Sequence, residues 1–311
     1  MAKRTDEIDW PAYEAGLKRR GSVTFWFSDE AIEAWKAVKT GRRGASGKYS
    51  DLAIETVLTI RLVYKQRLRQ VEGFLGSLLS IMGLPLDVPD HTTLSRRGAK
   101  LEVSEIAAAE RPDEPLCFVV DSTGLKIYGA GEWHAVKHGL SKRRVWRKLH
   151  LGIDASTLEV LSVSLTSHTD GDAAEVPELL GQLNEPADEL MGDGAYDANV
   201  VYDAAAACSE GGTPTKVVAP PRTGAVLSSS AAKQLTPRDR HVLIMSVFGR
   251  PFWEEHTRYR RRLLVENAMG RYKGIIGRRL HGRTTASQGV EVRLGCKALN
   301  RMARLGLPRH G

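Results

Sequence analysis

Tyr259, Arg262, Glu266 and Lys273 stand in the pattern Y-x2-R-x3-E-x6-K within the segment YRRRLLVENAMGRYK. On a helix turning 100° per residue they fall at about 0°, 300°, 340° and 320°, so four reactive side chains share one arc roughly 60° wide. Beside that arc Leu264, Val265, Ala268, Met269, Tyr272, Ile275 and Ile276 form an apolar face suited to docking on a core, with Arg258 and Arg261 intruding on it. The pattern predicts one buried helix whose seam carries a carboxylate flanked by cations, at the edge of a site open to an anion. An ordinary solvated amphipathic helix has the same look, so the chemical reading requires partner acids elsewhere in the chain.

Two aspartates meet that requirement. Asp121 ends the continuous apolar run CFVVD, which reads as a central strand covered on both faces. Asp193 ends the shorter run DELMGD inside the glycine-flanked MGDGAYD. Ligands of open α/β sheets sit beyond strand ends, and Gly192 and Gly194 leave room for close approach to Asp193. Three carboxylates brought together repel, so they persist only with protons or cations between them. Oxygen-only ligands favour Mg²⁺ or Mn²⁺ over zinc, and a pair of such ions activates a water or 3′-hydroxyl and stabilises the leaving oxygen of a phosphodiester.

Other residues compete for these roles. Asp197 lies four residues after Asp193 and is a rival ligand, although it also suits the N-cap of an Ala-rich helix over 197–208. His134 and His138 have i, i+4 spacing but no third zinc ligand nearby. His150 either faces the site or packs, and Asp170 and Asp172 suit a turn and helix cap. The run KHGLSKRRVWRK gathers Lys137, Lys142, Arg143, Arg144, Arg147 and Lys148 without an acid. It reads either as a solvated hairpin or, with Trp133 and Trp146, as a grip on a DNA backbone or unstacked base.

The elements that must position these groups follow from the rest of the chain. With 311 residues, 42% of them hydrophobic, there is enough to bury a large core and smaller additions. The net charge of +8 is uneven: Arg250 to Gly311 holds 15 Lys/Arg against four acids, an excess of 11 that leaves the remainder at −3. Such asymmetry points to a polyanionic partner, nucleic acid before a membrane surface. Cys117, Cys208 and Cys296 are too scattered for a disulfide framework or zinc site. The start MAKRTDEIDW lacks an apolar signal region, and no apolar run reaches membrane-spanning length, so a cytoplasmic protein is expected.

Residues 1–49 read as a basic N-terminal arm. Residues 50–110 read as a helical DNA-binding region: one helix over 51–70 capped by Ser50, a second over 71–82, and a third capped by Thr92 or Thr93 that carries Arg96, Arg97 and Lys100 outward. The nine-residue stretch Gly83 to His91 is long for a strict helix-turn-helix, and a helical cap that merely packs on the next domain fits equally. Residues 111–311 read as the catalytic domain. Strands at CFVVD, RKLHLGID and LEVLSVSLT precede helix, strand, helix and strand, which implies a mixed α/β sheet with flanking helices. A Ser/Pro/Arg-rich connection over 220–250 leads to the helix of Glu266, and a last helix follows Thr284.

Taken together these segments resemble a DDE transposase of the IS5 family of bacterial insertion sequences. The Y-x2-R-x3-E-x6-K signature matches without a gap, VVDSTGLK and GDGAYD match the two Asp segments, and PDHTTLSRR and WRKLHLGID add to a likeness covering most of residues 50 to 305. The resemblance implies an RNase H-like, five-stranded catalytic domain in which Asp121, Asp193 and Glu266 are catalytic metal ligands for two Mg²⁺ or Mn²⁺ ions. Tyr259, Arg262 and Lys273 then contact DNA phosphates near the cut, with Arg96, Arg97, Arg143 and Arg144 as further DNA contacts. It also implies terminal inverted repeats and target DNA as partners, a dimer or higher oligomer at synapsis, and a place on the bacterial nucleoid. The 73 residues between Asp193 and Glu266 leave no room for the large strand-rich insertion with which some relatives cut through a hairpin. An RNase H-like nuclease without strand transfer and a non-enzymatic DNA-binding regulator are the rival readings.

Overall fold

The apolar run at Cys117 opens a strand, β1 (Cys117–Ile127), that continues well past Asp121. The expectation that Asp121 ends its strand is therefore corrected. The polar segment STGLK stays extended because β2 (Trp146–Asp154) pairs with it antiparallel along its whole length, from Phe118↔Asp154 to Lys126↔Trp146. In this computed structural model the described residues are 10–38, 48–103, 106, 114–127, 146–208 and 213–305. They fall into two units, Ala108–Arg271 and a second made of Met1–Ala107 with Tyr272–Gly311.

In the first unit β3 (Val160–Ser167) pairs antiparallel with β2, while β4 (Glu189–Met191) and β5 (Lys216–Val218) extend the sheet on the other side in parallel. The order β3-β2-β1-β4-β5 makes β1 the central strand. Alternation along β1 sends Phe118 and Val120 to a core with Val176, Leu179, Leu190, Tyr196 and Val201, so the short helices Val176–Leu180 and Asn199–Ala207 cover that face. Cys117, Val119 and Asp121 belong to the opposite face. The connection expected over 220–250 is half helix: Pro237–His256 begins at a Thr236 capping box and breaks at Gly249, whose φ of 80° is open to glycine, just before Pro251.

The second unit is helical, with helices Trp10–Arg20, Asp29–Glu33, Asp51–Val63, Leu68–Ile81, His91–Gly98 and Thr285–Ala303. Ser50 caps the third by accepting from the Ala53 amide. The helix expected over 51–70 instead stops at Val63, because Lys65 takes a left-handed φ of 53°. Asp90, not Thr92 or Thr93, caps the His91 helix and accepts from both threonine amides. Trp26 and Trp35 are buried, so this part of 1–49 is core rather than arm; Trp35 donates Nε1 to the Asp87 carbonyl, and Tyr49 donates its hydroxyl to Val88, which anchors the long Gly83–His91 stretch. Lys297 on the last helix pairs with Glu55. A two-residue strand at Arg279–Leu280 was not expected, since RRL carries no strand pattern.

Candidate active site

Register sets Asp121 and Asp193 side by side. Val119 is the last β1 residue paired with parallel β4, opposite Met191. Asp121 and Asp193 each lie two residues further on, at matched positions on adjacent chains, where the parallel neighbour stops and a crevice opens. Asp193 is the N-cap of a three-residue 3-10 turn, Gly194–Tyr196, and accepts from the Ala195 amide at 2.8 Å. Gly192 is required there: a Cβ would sit 2.6 Å from the Tyr196 ring.

The Glu266 segment is not one α-helix. Arg258 takes a left-handed φ of 52°, Tyr259–Arg262 form a 3-10 turn, and the α-helix runs only from Leu263 to Ile275. The expected single 100° stripe is thus corrected, because the left-handed residue tightens the first turn. The apolar face holds, with Val265, Ala268, Met269, Tyr272 and Ile276 buried. The 3-10 turn packs on β1: Arg261 lies 3.8 Å from Glu189 and Arg262 lies 3.5 Å from Asp121, which places the turn over the Cys117–Val119–Asp121 face.

Arg262 carries the junction. One guanidinium nitrogen approaches Asp121 Oδ2 and the other binds Glu266 Oε1, so a single cation bridges two acids separated by 145 positions in sequence. The Asp121 carboxyl is pushed up to about 6, chiefly by burial and further by the charges of Asp193 and Glu266, while the Ser122 amide and Arg262 pull it down. Tyr259 is buried against Trp253, and burial pushes its phenol up to about 12. A cavity of about 650 Å³ opens at this place, lined by Asp193, Tyr259 and Arg262 together with Arg222, Arg250 and Arg260. Arg222 and Arg250 were missed by sequence reasoning; they sit in a connection whose composition read only as a loop.

The remaining candidates fall elsewhere. Lys273 lies on the Leu263–Ile275 helix, in the part assigned to the helical unit. Asp197 does not cap the Ala-rich helix, whose N-cap is Ala198; its fully buried carboxylate receives a two-pronged bond from Arg238 at 2.8 and 2.9 Å. His150 is buried and bonds Thr166 at 2.8 Å, so it packs rather than faces the crevice. Asp170 does close a turn, accepting from the Ser167 amide, whereas Asp172 pairs with Lys148 instead of capping. Arg96 is exposed, but Arg97 is spent on the Tyr49 carbonyl and Asp51. Arg143, Arg144, His134, His138 and Trp133 lie outside the described residues.

Among the described residues no three His, Cys, Asp or Glu side chains are gathered as metal ligands. The donor chemistry nevertheless fits a hard divalent cation: Asp121, Asp193 and Glu266 offer only oxygens, and a guanidinium already stands as a cation between two of them. Among the described residues no helix is long and apolar enough to cross a membrane.

The mixed sheet thus sets two acids just beyond a parallel strand pair, with Glu266 on a neighbouring helix and an arginine-lined cavity beside them. Residues 112–302 match the model of the family described as "Transposase DDE domain", residues 18–130 match a second model of the same description, and the chain belongs to this family. The protein is accordingly a DNA transposase, a class of enzymes that generally uses divalent metal ions. Among solved structures it is similar to the cryo-EM structure of the piggyBac transposase synaptic complex with hairpin DNA, at 10% sequence identity and a TM-score of 0.41, covering 93% of this chain and 75% of that one.

Proposed function

We propose that the protein is an IS5-type insertion-sequence transposase with an RNase H-like catalytic domain, which binds the terminal inverted repeats of its element, cleaves at the ends and joins them to target DNA. The observation that carries this reading is the matched placement of Asp121 and Asp193 two residues beyond Val119↔Met191, with Arg262 bridging Asp121 to Glu266. Asp121, Asp193 and Glu266 would hold two Mg²⁺ or Mn²⁺ ions. When bound, such ions supply Lewis-acid stabilisation of the charge that develops on the phosphodiester oxygens.

The chain's own residues orient and charge-balance the substrate. Water attacks the phosphorus at the element end and leaves a 3′-hydroxyl. That hydroxyl then attacks a target phosphodiester and expels the target's 3′-oxygen, so no covalent enzyme intermediate is required. Arg262 contacts a DNA phosphate, and Tyr259 and Lys273 contact the strand near the cut. In the domain division we propose, the helices of 50–110 present Arg96 to the duplex, with Arg143 and Arg144 as further contacts. Two ends joined in one synapsis call for a homodimer or larger assembly on the bacterial nucleoid.

The test is incubation of the purified chain with DNA carrying the element's ends and Mg²⁺ or Mn²⁺. Strand-transfer products are expected. Nicks without joining would make it a nuclease, and DNA binding with neither product would make it a regulator.

A further inference from the structure

Asp193 sits on a short turn anchored at its two ends, where the Gly192 amide donates to the Val218 carbonyl at 3.1 Å and Tyr196 is buried in the core. Glycines flank Asp193 on both sides, β4 before it is three residues long, and the 3-10 turn after it spans three more. Glycine-flanked backbone samples many conformations unless neighbours restrict it. In the structure the two peptides between those anchors are further restricted by a segment more than two dozen residues downstream.

Arg222 donates Nε to the Gly194 carbonyl and Nη2 to the Ala195 carbonyl, both at 3.1 Å, so one planar fork grips two consecutive peptides of the turn. The Arg222 backbone amide is itself fixed by Asp197 Oδ2 at 3.2 Å. Asp197, whose side chain is fully buried, is locked in turn by Arg238 at the start of the Pro237–His256 helix. Pro220 completes the contact, its carbonyl lying 3.4 Å from where a Cβ on Gly194 would be. The chain of bonds runs from a rigid helix N-terminus through a buried ion pair to the two peptides that follow Asp193.

We propose that Arg222, backed by Asp197 and Arg238, is a positioning clamp that holds the Asp193 carboxylate in the orientation needed to ligate a divalent cation. This rests on the function proposed above, in which Asp193 is a metal ligand. The fork is the operative feature. A lysine at 222 keeps the positive charge facing the cavity but cannot donate to both carbonyls in one plane. Outer groups that orient metal ligands typically govern affinity about 10- to 100-fold.

The experiment titrates Mn²⁺ into the full chain without DNA and follows the free-ion paramagnetic resonance signal. Arg222 is exposed, so its variants keep the buried Asp197–Arg238 pair and the fold. Arg222→Ala and Arg222→Lys are both expected to bind Mn²⁺ about 10-fold more weakly than the wild type. Affinity of Arg222→Lys for a random-sequence duplex should stay within about twofold, because its charge is retained. Wild-type Mn²⁺ binding by Arg222→Lys overturns the clamp and leaves Arg222 as a DNA contact only. Asp193→Asn separates the two levels. If it weakens Mn²⁺ binding while both Arg222 variants do not, the clamp alone falls. If it has no effect, or if the wild type binds no Mn²⁺, the metal-ligand reading of Asp193 falls and the clamp with it.

Discussion

Asp121 and Asp197 are both acids taken out of water next to an arginine, yet they are built for different ends. Asp197 is fully buried and saturated: Arg238 meets both of its oxygens, and the Arg222 amide adds a third bond. Asp121 has one backbone bond from Ser122 and a loose approach from Arg262 at 3.5 Å, and it shares its surroundings with two further acids. The first arrangement fixes a structure, because every lone pair that matters is answered. The second leaves an under-compensated carboxyl beside two further acids, which suits the cation-binding role proposed for it. In the function proposed, the completeness of their partners, rather than charge or burial alone, separates the structural acid from the functional one.

The largest consequence of this contrast is for stability. Asp197→Asn strands the Arg238 guanidinium and should cost about 3–5 kcal/mol, whereas Asp121→Asn should be tolerated, as seen by denaturant unfolding with metal chelated. A mild Asp197→Asn and a severe Asp121→Asn would reverse the assignment of roles.

Next comes pH. Asp121 binds its proton more tightly in the folded state than its ordinary 3.8, at about 6, so its contribution to stability is present at low pH and is lost as pH rises from about 4 to 6. Asp121→Asn lacks that loss. The stability of the variant relative to the wild type should therefore climb by about 1–3 kcal/mol between pH 4 and pH 7 in metal-free buffer. A difference that stays flat across this window would show that Asp121 is not perturbed.

The same distinction between spent and unspent charges separates two adjacent arginines in the helical unit. Arg97→Ala removes the bonds to Tyr49 and Asp51 and should cost about 1–2 kcal/mol. Arg96→Ala should change stability by less than about 0.5 kcal/mol. Its effect belongs in DNA binding, where the slope of log affinity against log salt should shrink by about 1. An unchanged slope would remove Arg96 from the interface.

Much of the architecture was legible because local chemistry decided it. The run CFVV announced the central strand, RKLHLGID and LEVLSVSLT were readable as the next two, Ser50 capped its helix, and the apolar face of Leu263–Ile275 was readable from period alone. What escaped depended on partners far away in sequence. β1 outruns its apolar segment because β2 pairs with the polar half. Asp197 looked like a helix cap because nothing near it announces Arg238, 41 residues on. Arg97 looked like its neighbour Arg96 until Tyr49 and Asp51 came against it. The 3-10 turn at Tyr259 hid behind a motif that fits a helix on paper, since only the left-handed Arg258 reveals the change. Of the site, the three acids and Arg262 could be nominated from residue types and spacing, but the arginines of the connection could not.

The most direct measurement is metal-dependent cleavage and joining of element-end DNA by the wild type beside Asp121→Asn, Asp193→Asn and Glu266→Gln. Each single substitution should reduce both products by about 1,000-fold or more while duplex binding persists, because transition-state stabilisation of several kcal/mol is removed from the phosphoryl transfer. Wild-type rates in any of the three variants would show that Asp121, Asp193 and Glu266 do not perform the chemistry together.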